Sequence, residues 1–307
     1  MKAEGLVLKS TGSWYNIRLN NREVIRCRLR GKLKLNESKT TNPVAVGDRV
    51  VVEMEKSGEG IVHEVLPRRN YFIRKSAKKG DIGHIIASNI DQAILIVTLS
   101  FPRTSIGFID RYLVNTESFR IPAKIVFNKS DLFDDALKEM HRNVSDLYRQ
   151  LGYDNILISA TNDADLDSMK IWLKNKMSLV TGHSGVGKTT ILNRIAPGLN
   201  LPTGEVSTFA NKGIHVTTFA SMFELEDNTF IIDTPGIREL GLIDMENWEI
   251  SHYFPEMRDR MGECRYSNCL HLNEPGCKIQ ELLLNGLISE SRFKSYISMV
   301  LNEDNRK

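Results

Sequence analysis

The stretch GHSGVGKTT at positions 182–190 has residue types and a spacing that bind phosphate groups. An apolar strand-like stretch precedes it and a helix-like stretch follows it, which is the context of a P-loop. Its glycines would let backbone N–H groups wrap phosphates, and the helix N-terminus adds donors and a favourable dipole. The alternative is a glycine-rich turn that only caps a helix. The fixed positions of the pattern G-x-x-x-x-G-K-[ST] are Gly182, Gly187, Lys188 and Thr189.

Two side chains of this loop have specific expected roles. Lys188 would reach the β- and γ-phosphates, and the Thr189 hydroxyl would hold Mg²⁺. We expect the rest of the loop to contact the nucleotide as well, namely His183, Ser184, Gly185, Val186 and Thr190.

A second motif, FIIDTPG at 230–236, has an apolar strand that ends in Asp233 and a turn that contains Gly236. In P-loop enzymes the strand-end carboxylate lies across the metal from the P-loop threonine, and the glycine N–H can contact the γ-phosphate. A bare D-x-x-G is an ordinary turn in most proteins. After a P-loop and a buried strand, it predicts Asp233 as a second magnesium ligand and Gly236 as a nucleotide contact.

The stretch NKSD at 128–131 closes the apolar strand AKIVF and is typical of a guanine-reading motif. A carboxylate at Asp131 can accept from both N1–H and the N2 amine of guanine, whereas adenine would leave it unpaired. Asn128 would connect neighbouring loops, and the Lys129 stem would cover the face of the base. By itself, N-K-x-D is often a turn.

The stretch SAT at 159–161 supports the guanine interpretation, because it also follows a strand. The backbone N–H of Ala160 would meet guanine O6, with Ser159 beside it. Together with the P-loop, these motifs predict a site for GTP and not for ATP. They also argue against a nucleotide kinase, which does not need a base-reading pair.

The order of the motifs is unusual, because the guanine-reading motif NKSD precedes the P-loop by about fifty residues. If the helix-like stretch DADLDSMKIWLKNKM leads straight into the P-loop strand, every motif returns to its usual place in the sheet. The sequence therefore predicts a circularly permuted domain. Permutation is tolerated where the original termini lie close together on the surface.

Three cysteines and one histidine lie within fourteen residues near the C-terminus. This set matches a closed tetrahedral Cys₃His zinc site, and a reduced cytosolic chain would keep the thiols free. A site with no open position is structural and not catalytic. The alternative is a group of buried thiols beside an unrelated histidine. The predicted ligands are Cys264, Cys269, His271 and Cys277.

The formal net charge of +3 hides an uneven distribution. Residues 1–79 carry 18 Lys and Arg against 8 Asp and Glu, and the rest carries 23 against 30. Such a basic N-terminal quarter indicates a polyanionic partner, although a solvated basic face is the alternative. The candidate RNA-binding residues are Arg26, Arg28 and Arg30, on one face of a strand, and Arg68 and Arg69 in a basic connector that we place at 66–81.

Periodicity divides the 307-residue chain into parts with different patterns. Five short strand-like runs before position 66 favour an OB-like barrel, with Cys27 as a core residue. Alternating strands and helices then favour a parallel sheet with helices on both faces. We predict a multidomain α/β chain: an RNA-binding barrel at 1–68, a permuted GTPase domain at 69–245, and a helical zinc-binding domain with a helical tail at 246–307.

The chain has no apolar run near the 18 to 20 residues of a membrane span. Its N-terminus MKAEGLVLKSTGSW lacks an apolar signal core. We expect a cytoplasmic protein without a membrane partner.

The motif order NKSD, SAT, GHSGVGKT and DTPG lies between a small barrel and a Cys/His cluster. In this it resembles the RsgA (YjeQ/YloQ) family of circularly permuted ribosome-assembly GTPases over essentially the whole chain. The resemblance implies action in late maturation of the small (30S) ribosomal subunit, whose 16S rRNA and proteins become the expected partner. It also implies slow hydrolysis of GTP to GDP that the subunit stimulates. We expect a monomer.

The resemblance also assigns a switch loop, which in this family has the form G-x-H-T-T-T. Here Val216 replaces the first threonine, so Thr217 or Thr218 is expected to close on Mg²⁺, with Thr217 favoured. The residue after D-x-x-G is Ile237, which cannot orient a water as a Gln would. The resemblance therefore gives that catalytic role to His215. The rival function, from another class, is an RNA-binding module in which the nucleotide only sets conformation.

Overall fold

The N-terminal strands form a closed five-stranded barrel, as predicted. The computed structural model describes residues 2–29, 42–56, 58–75, 83–201, 220–226, 228–234, 242 and 245–303. The strands pair in the order 1-2-3-5-4, and the fourth closes on the first, which is the order of an OB fold. The barrel strands are β1 (Lys2–Ser10), β2 (Tyr15–Leu19), β3 (Val24–Leu29), β4 (Arg49–Met54) and β5 (Gly60–Val65).

Alternate residues of each barrel strand fill the interior. Val7, Ile17 and Val52 are fully buried there, as is Cys27, so Cys27 is a core residue as the alternation predicted. Burial raises the pKa of the Cys27 thiol to about 11, so this thiol stays neutral. Gly60 lies against it, since a Cβ at that position would come within 2.6 Å of the Cys27 sulfur.

The expectation of a plain basic connector at 66–81 is wrong in part. Within it, β6 (Tyr71–Lys75) pairs antiparallel with β7 (Gly83–Ser88). Phe72 and Ile73 are buried, because this hairpin packs under the barrel and against the next domain. The flanking basic residues dilute the apolar pattern, so sequence periodicity alone did not reveal the strand.

A mixed sheet with helices on both faces follows. Strands in the order 10-9-8-11-13 are parallel, and strand 12 is antiparallel beside strand 13. Its elements are β8 (Gln92–Val97), α1 (Ile106–Ser118), β9 (Ala123–Phe127), α2 (Asp135–Gln150), β10 (Asn155–Leu157), α3 (Asp163–Leu173), β11 (Met177–Gly182), α4 (Lys188–Ile195), β12 (Ser221–Glu226) and β13 (Thr229–Asp233).

The sheet is buried on both sides, because successive residues of its strands enter different cores. In β8, Leu95 and Val97 belong to one hydrophobic cluster and Ile94 and Ile96 to the other. Helix α3 leads directly into the central strand β11, which lies between β8 and β13. The P-loop strand therefore has its usual central place although it comes late in the chain, and the predicted permutation is confirmed.

The barrel is joined to the mixed sheet through β12. Lys9 of β1 pairs with Ser221 of β12, so the barrel strands and the strands of the mixed sheet form one continuous hydrogen-bonded sheet, from which the β6–β7 hairpin is separate. Beside this pairing, the Arg18 guanidinium contacts Glu224 at 2.9 Å and lies 5.6 Å from the ring of Phe230. The strand β12 did not stand out in the sequence.

The C-terminal region packs on α1. Arg292 of α7 (Glu290–Val300) is buried and lies 2.7 Å from Asp110 of α1 and 2.7 Å from Glu256 of α5 (Pro255–Arg258). Although burial alone would lower the pKa of Arg292, Asp110 and Glu256 raise it well above its ordinary value. The helices are α5 (Pro255–Arg258), α6 (Lys278–Leu284) and α7 (Glu290–Val300), of which α7 lies in the predicted helical tail.

No helix in the described part of the chain combines the length and the apolar character needed to cross a membrane.

Candidate nucleotide site and metal centre

Three of the four predicted nucleotide motifs, NKSD, SAT and the P-loop, meet at one edge of the sheet, where the side chain of Asn128 joins them. Its Nδ2 donates to the carbonyl of Val186 in the P-loop at 2.8 Å. Its Oδ1 accepts from the backbone N–H of Ala160 at 2.9 Å. Asn128 is 1% exposed, so these bonds are shielded from water. The expected role of Asn128 as a connector between loops agrees with this geometry.

The Ala160 amide differs from the expectation that it would meet guanine O6. The buried side-chain oxygen Oδ1 of Asn128 needs a hydrogen-bond donor, and the backbone N–H of Ala160 donates to it. The same loop is also held by Arg194 of α4, whose guanidinium donates to the carbonyl of Ala160 and to Asp163. Sequence reasoning missed Arg194, because no short motif marks it.

Ser159 orients the predicted guanine-reading carboxylate. Its Oγ donates to Asp131 Oδ1 at 2.6 Å, and its backbone N–H donates to Asp165 Oδ2 at 2.7 Å. Asp131 itself is exposed at the rim of the site. The pairing of NKSD with SAT is therefore a direct contact, although the two motifs lie about thirty residues apart in sequence.

Lys129 reaches across this rim to a loop that sequence reasoning did not single out. It has a left-handed backbone with φ of 68°, and its Nζ donates to the carbonyl of Phe101 at 2.8 Å. The next residue, Pro102, lies against the P-loop, since a Cβ at Gly185 would come within 3.1 Å of its ring. The loop after β8 thus borders both the guanine and the phosphate motifs.

The P-loop glycines are required by close approaches. Gly187 has φ of +92°, and a Cβ there would lie 2.3 Å from Asn128 Nδ2. A Cβ at Gly182 would lie 2.7 Å from the carbonyl oxygen of Ile96. Both positions exclude larger residues for steric reasons, which is independent of any ligand.

The remaining P-loop residues differ in their exposure. Val186 is fully buried and anchors the loop in the core of the sheet. Ser184 and Gly185 are exposed, Thr189 is half-buried in the first turn of α4, and Thr190 is exposed. The ring of His183 lies 3.8 Å from the ring of Phe108 in α1, centroid to centroid.

Lys188 and Asp233 lie together, as the motifs predict. The Lys188 Nζ donates to the Asp233 carboxylate and, at 3.0 Å, to the carbonyl of Thr234. The strand that leads into the P-loop, β11, is a parallel neighbour of β13, which ends at Asp233, so the P-loop and Asp233 lie at the same edge of the sheet. Lys188 follows the P-loop residue Val186, and Asp131 is bonded to Ser159 beside Ala160, so both side chains belong to the loops that Asn128 joins. Five other predicted residues lie outside the described ranges: Arg30, His215, Thr217, Thr218 and Gly236.

The predicted RNA-binding arginines fall into two groups. Arg26 and Arg28 are exposed on the outer face of β3; Arg26 stacks over Trp14 at 3.9 Å and Arg28 pairs with Glu55 at 3.2 Å. Arg68 instead makes a bidentate pair with the buried Asp48, both contacts at 2.7 Å.

This pair links the chain just before β4 to the chain after β5, which favours a structural role, so we leave Arg68 out of the RNA surface. Arg69 contacts Asp91 at 2.6 Å but stays 60% exposed.

The predicted metal ligands converge, with all four ligand atoms within 4.8 Å of one another. The nitrogen Nδ1 of His271 lies 3.6 Å from the sulfur of Cys264 and 3.4 Å from that of Cys277, and these sulfurs are 4.0 Å apart. Tetrahedral zinc, with bonds of about 2.3 Å to sulfur and 2.0 Å to nitrogen, places its ligands about 3.5 to 3.8 Å apart. The donor set therefore fits a zinc ion.

Protonation and backbone geometry agree with this fit. Burial raises the pKa of Cys269 to about 12 and lowers the pKa of His271, so without a cation these groups are neutral. A divalent ion would stabilise the thiolates. The ligand loop is braced by Tyr296, whose hydroxyl donates to the carbonyl of Leu270 at 2.6 Å, and by Glu274, which accepts from the N–H of Leu270 at 2.7 Å.

Comparison with known proteins agrees with the geometry. Residues 4–62 match the family model described as RsgA N-terminal domain, and residues 65–243 match the one described as RsgA GTPase. The chain belongs to the RsgA GTPase family. Membership makes it a GTP hydrolase and confirms the resemblance seen in the motifs. The domain boundaries that we placed at 68 and 245 stay a prediction.

Curated relatives of the RsgA family match over their full length. The small ribosomal subunit biogenesis GTPase RsgA of Cytophaga hutchinsonii is 48% identical, over 99% of this chain and 100% of the relative. The small ribosomal subunit biogenesis GTPase RsgA 2 of Bacteroides thetaiotaomicron is 44% identical, over 99% and 98% respectively.

Solved structures of the RsgA type share the architecture. The crystal structure of YjeQ from Thermotoga maritima superposes with a TM-score of 0.80 at 33% identity, covering 100% of both chains. That of YloQ, a circularly permuted GTPase, gives a TM-score of 0.75 at 25% identity, covering 100% of this chain and 96% of the other. The barrel, the permuted sheet and the C-terminal region thus belong to one established fold.

Proposed function

We propose that this chain is a Mg²⁺-dependent GTPase of small ribosomal subunit biogenesis. In this function it binds the small (30S) subunit through 16S rRNA and associated proteins, acts late in maturation, and hydrolyses GTP to GDP and phosphate when the subunit stimulates it. It works as a monomer in the cytoplasm. The observation that carries the nucleotide part is the pair of hydrogen bonds by which Asn128 joins the guanine and phosphate motifs. The names of the relatives support the ribosomal part.

The residue roles follow from donor and acceptor chemistry. Asp131 accepts from N1–H and the N2 amine of guanine, while Ser159 holds its carboxylate in place. Lys129 covers the base, and Lys188 binds the β- and γ-phosphates together with the backbone N–H groups of the P-loop. In the geometry described above Lys188 contacts Asp233, and a nucleotide would compete for that lysine.

Magnesium fits the oxygen donors that the site offers. Thr189 and Asp233 would hold it from the P-loop and from the end of β13, with Thr217 or Thr218 added from the switch sequence. When bound, Mg²⁺ neutralises phosphate charge. The N–H of Gly236 would contact the γ-phosphate.

The residue that orients the attacking water is His215 in this proposal. Ile237 cannot hydrogen-bond a water, so the task falls to the histidine of the switch sequence, as the family resemblance implies. Slow hydrolysis without a partner follows from the same substitution.

The C-terminal Cys₃His set holds one structural zinc ion in this proposal. Its four protein ligands leave no open coordination position for catalysis. The exposed arginines Arg26, Arg28 and Arg69 contact rRNA, as does Arg30 by its place in the sequence.

The decisive experiment measures phosphate release by the purified protein with and without purified small subunits. We expect stimulation, and we expect co-sedimentation with subunits to be stronger in a non-hydrolysable GTP analogue than in GDP. Binding without any stimulated release would favour the rival function, an RNA-binding module with negligible hydrolysis. Absence of both would contradict the proposal.

A substitution at His215 tests the catalytic assignment. His215→Ala should lower subunit-stimulated turnover by about 10²- to 10⁴-fold, because a positioned general base or water-orienting group contributes that range. GTP affinity should stay unchanged, since this side chain is not assigned to the ground-state contacts. Single-turnover assays and nucleotide titration measure the two quantities. Unchanged stimulated turnover would remove His215 from the mechanism.

A further inference from the structure

Trp14 and Arg26 form a stacked pair on the outer surface of the barrel, which we call the Trp14–Arg26 platform. The guanidinium carbon of Arg26 lies 3.9 Å from the centre of the Trp14 ring. Arg26 is exposed and Trp14 is half-buried. An exposed pair of this kind contributes only about 0.5–1 kcal/mol to folding, so stability alone is a weak reason for a large aromatic side chain here.

The backbone holds this platform in place. Trp14 ends the turn between β1 and β2, where its carbonyl accepts from the backbone N–H of Thr11 at 2.9 Å and from the Thr11 hydroxyl at 3.0 Å. The next residue, Tyr15, is 1% exposed and lies opposite Cys27 in β3. The indole is therefore attached to a rigid strand end and does not belong to a long loop.

The surroundings are cationic. Arg18, Arg26 and Arg28 occupy outward positions of β2 and β3. Arg18 pairs with Glu224 and Arg28 with Glu55, whereas Arg26 has no carboxylate within ion-pair distance among the described residues. Its charge is thus available to a partner, within an N-terminal quarter that is strongly basic.

The position on the fold indicates what kind of partner fits. In OB barrels, the face of strands 2 and 3 and the turn between strands 1 and 2 bind oligonucleotides. An aromatic side chain beside cationic groups binds unstacked bases, because any base can stack on the ring while a cation holds the backbone. Bases inside a duplex present no free face, so such a platform discriminates against double-stranded RNA.

We propose that an unpaired RNA nucleotide stacks on the Trp14–Arg26 platform, with Arg26 contacting its phosphate. This inference rests on the proposed function, in which the partner is ribosomal RNA, and adds the mode of recognition and the residue Trp14. The barrel thereby recognises a base that is free of its helix, in addition to the charge of the RNA backbone.

The test compares the affinity of full-length variants for a short single-stranded RNA and for a duplex of the same length. Trp14→Ala should weaken single-strand binding by about 5- to 150-fold, since one stacked base contributes about 1–3 kcal/mol. Duplex binding should be unchanged, and Trp14→Phe should recover part of the loss. Trp248→Ala is the matched control, because Trp248 is 56% exposed in the C-terminal region.

Salt dependence separates the two members of the platform. Arg26→Ala should lower the slope of log affinity against log salt concentration by about one, because one phosphate contact is lost. Trp14→Ala should leave this slope unchanged, since stacking releases no counterion. Thermal unfolding of each variant checks that the barrel is intact. If Trp14→Ala fails to fold, the single variants Trp14→Phe and Arg26→Ala still test whether the platform binds single-stranded RNA.

Two results would overturn the inference: equal single-strand affinity of Trp14→Ala and the wild type, or equal losses for single strand and duplex. In either case subunit-stimulated GTP hydrolysis by the same variants would leave the proposed function standing. Conversely, the wild-type protein could bind single-stranded RNA through Trp14 and yet neither bind small subunits nor respond to them. That result would contradict the proposed function and support the Trp14–Arg26 platform.

Discussion

The nucleotide edge and the metal centre are both built from loops, but different forces hold them. At the nucleotide edge, loops follow the parallel strands of a sheet whose centre is buried on both faces, and a buried asparagine connects these loops by hydrogen bonds. In the metal centre, the ligand stretch 261–277 is mostly exposed and has few apolar contacts of its own. The contacts of the chain itself therefore preorganise the first site, whereas the second would depend on the zinc ion that we propose.

Removal of zinc should give the largest effect. Structural zinc contributes about 10–16 kcal/mol in isolated zinc-finger peptides, so chelation or Cys269→Ser should unfold the ligand stretch. We expect one zinc per chain by elemental analysis, a lower unfolding temperature, and rapid proteolysis within 261–277. GTP affinity should change little, because the nucleotide edge has its own core. If a chelator did not change the unfolding temperature, the proposed difference between the two sites would be wrong.

The buried ion pair between the two regions comes next. Asp110→Ala should lower the free energy of unfolding by about 3–5 kcal/mol, because it leaves part of the charge of buried Arg292 uncompensated. Lys294→Ala is the matched control on the same helix, since Lys294 pairs with Glu290 in solvent and the loss should stay below about 0.5 kcal/mol. Denaturant unfolding measures the free energy of unfolding of both variants. Similar losses in the two would contradict the claim that the buried ion pair stabilises the contact between the C-terminal region and α1.

The guanine-reading role is tested by Asp131→Asn. An amide cannot accept from both N1–H and the N2 amine, so GTP affinity should fall by about 10- to 150-fold, which corresponds to about 1.5–3 kcal/mol for a hydrogen-bonded charge. Xanthosine triphosphate, which carries an oxygen in place of that amine, should bind better than GTP. Asp135→Asn is the control, because this nearby carboxylate is exposed and pairs only with Lys138 among described residues. Equal nucleotide preference in both variants would remove Asp131 from base recognition.

Gly187→Ala should lower the free energy of unfolding by about 1–3 kcal/mol, because alanine is strained in a left-handed backbone and its Cβ would collide with Asn128. Gly12→Ala isolates the backbone part, since Gly12 has φ of +86° and no atom within 4 Å of its added Cβ. Only Gly187→Ala should also weaken GTP binding, because it displaces the residue that joins the loops. If the two variants had equal GTP affinity, the contact between Gly187 and Asn128 would not be needed for nucleotide binding, which would contradict our inference.

Most of the nucleotide site could be predicted from sequence, because parallel strands bring their carboxyl ends to one edge and the motifs follow those strands. The convergence of the three cysteines and His271 was equally clear from residue type and spacing. The hydrogen bond of the Ala160 amide to Asn128 could not be foreseen, because it depends on which buried oxygen lies closest. Arg68 looked like a free cation for a similar reason: its partner Asp48 lies twenty residues earlier.

The junction between β1 and β12 has a mechanical consequence. β12 begins six residues after His215 in the sequence and is hydrogen-bonded to β13 on one side and to the barrel on the other. A shift of β12 along its own axis would disturb its pairing with β13 and its contact with β1 at Ser221. A displacement of β12 would therefore move the barrel as well or break the Lys9–Ser221 pairing, so β12 is a mechanical link between the barrel and the mixed sheet.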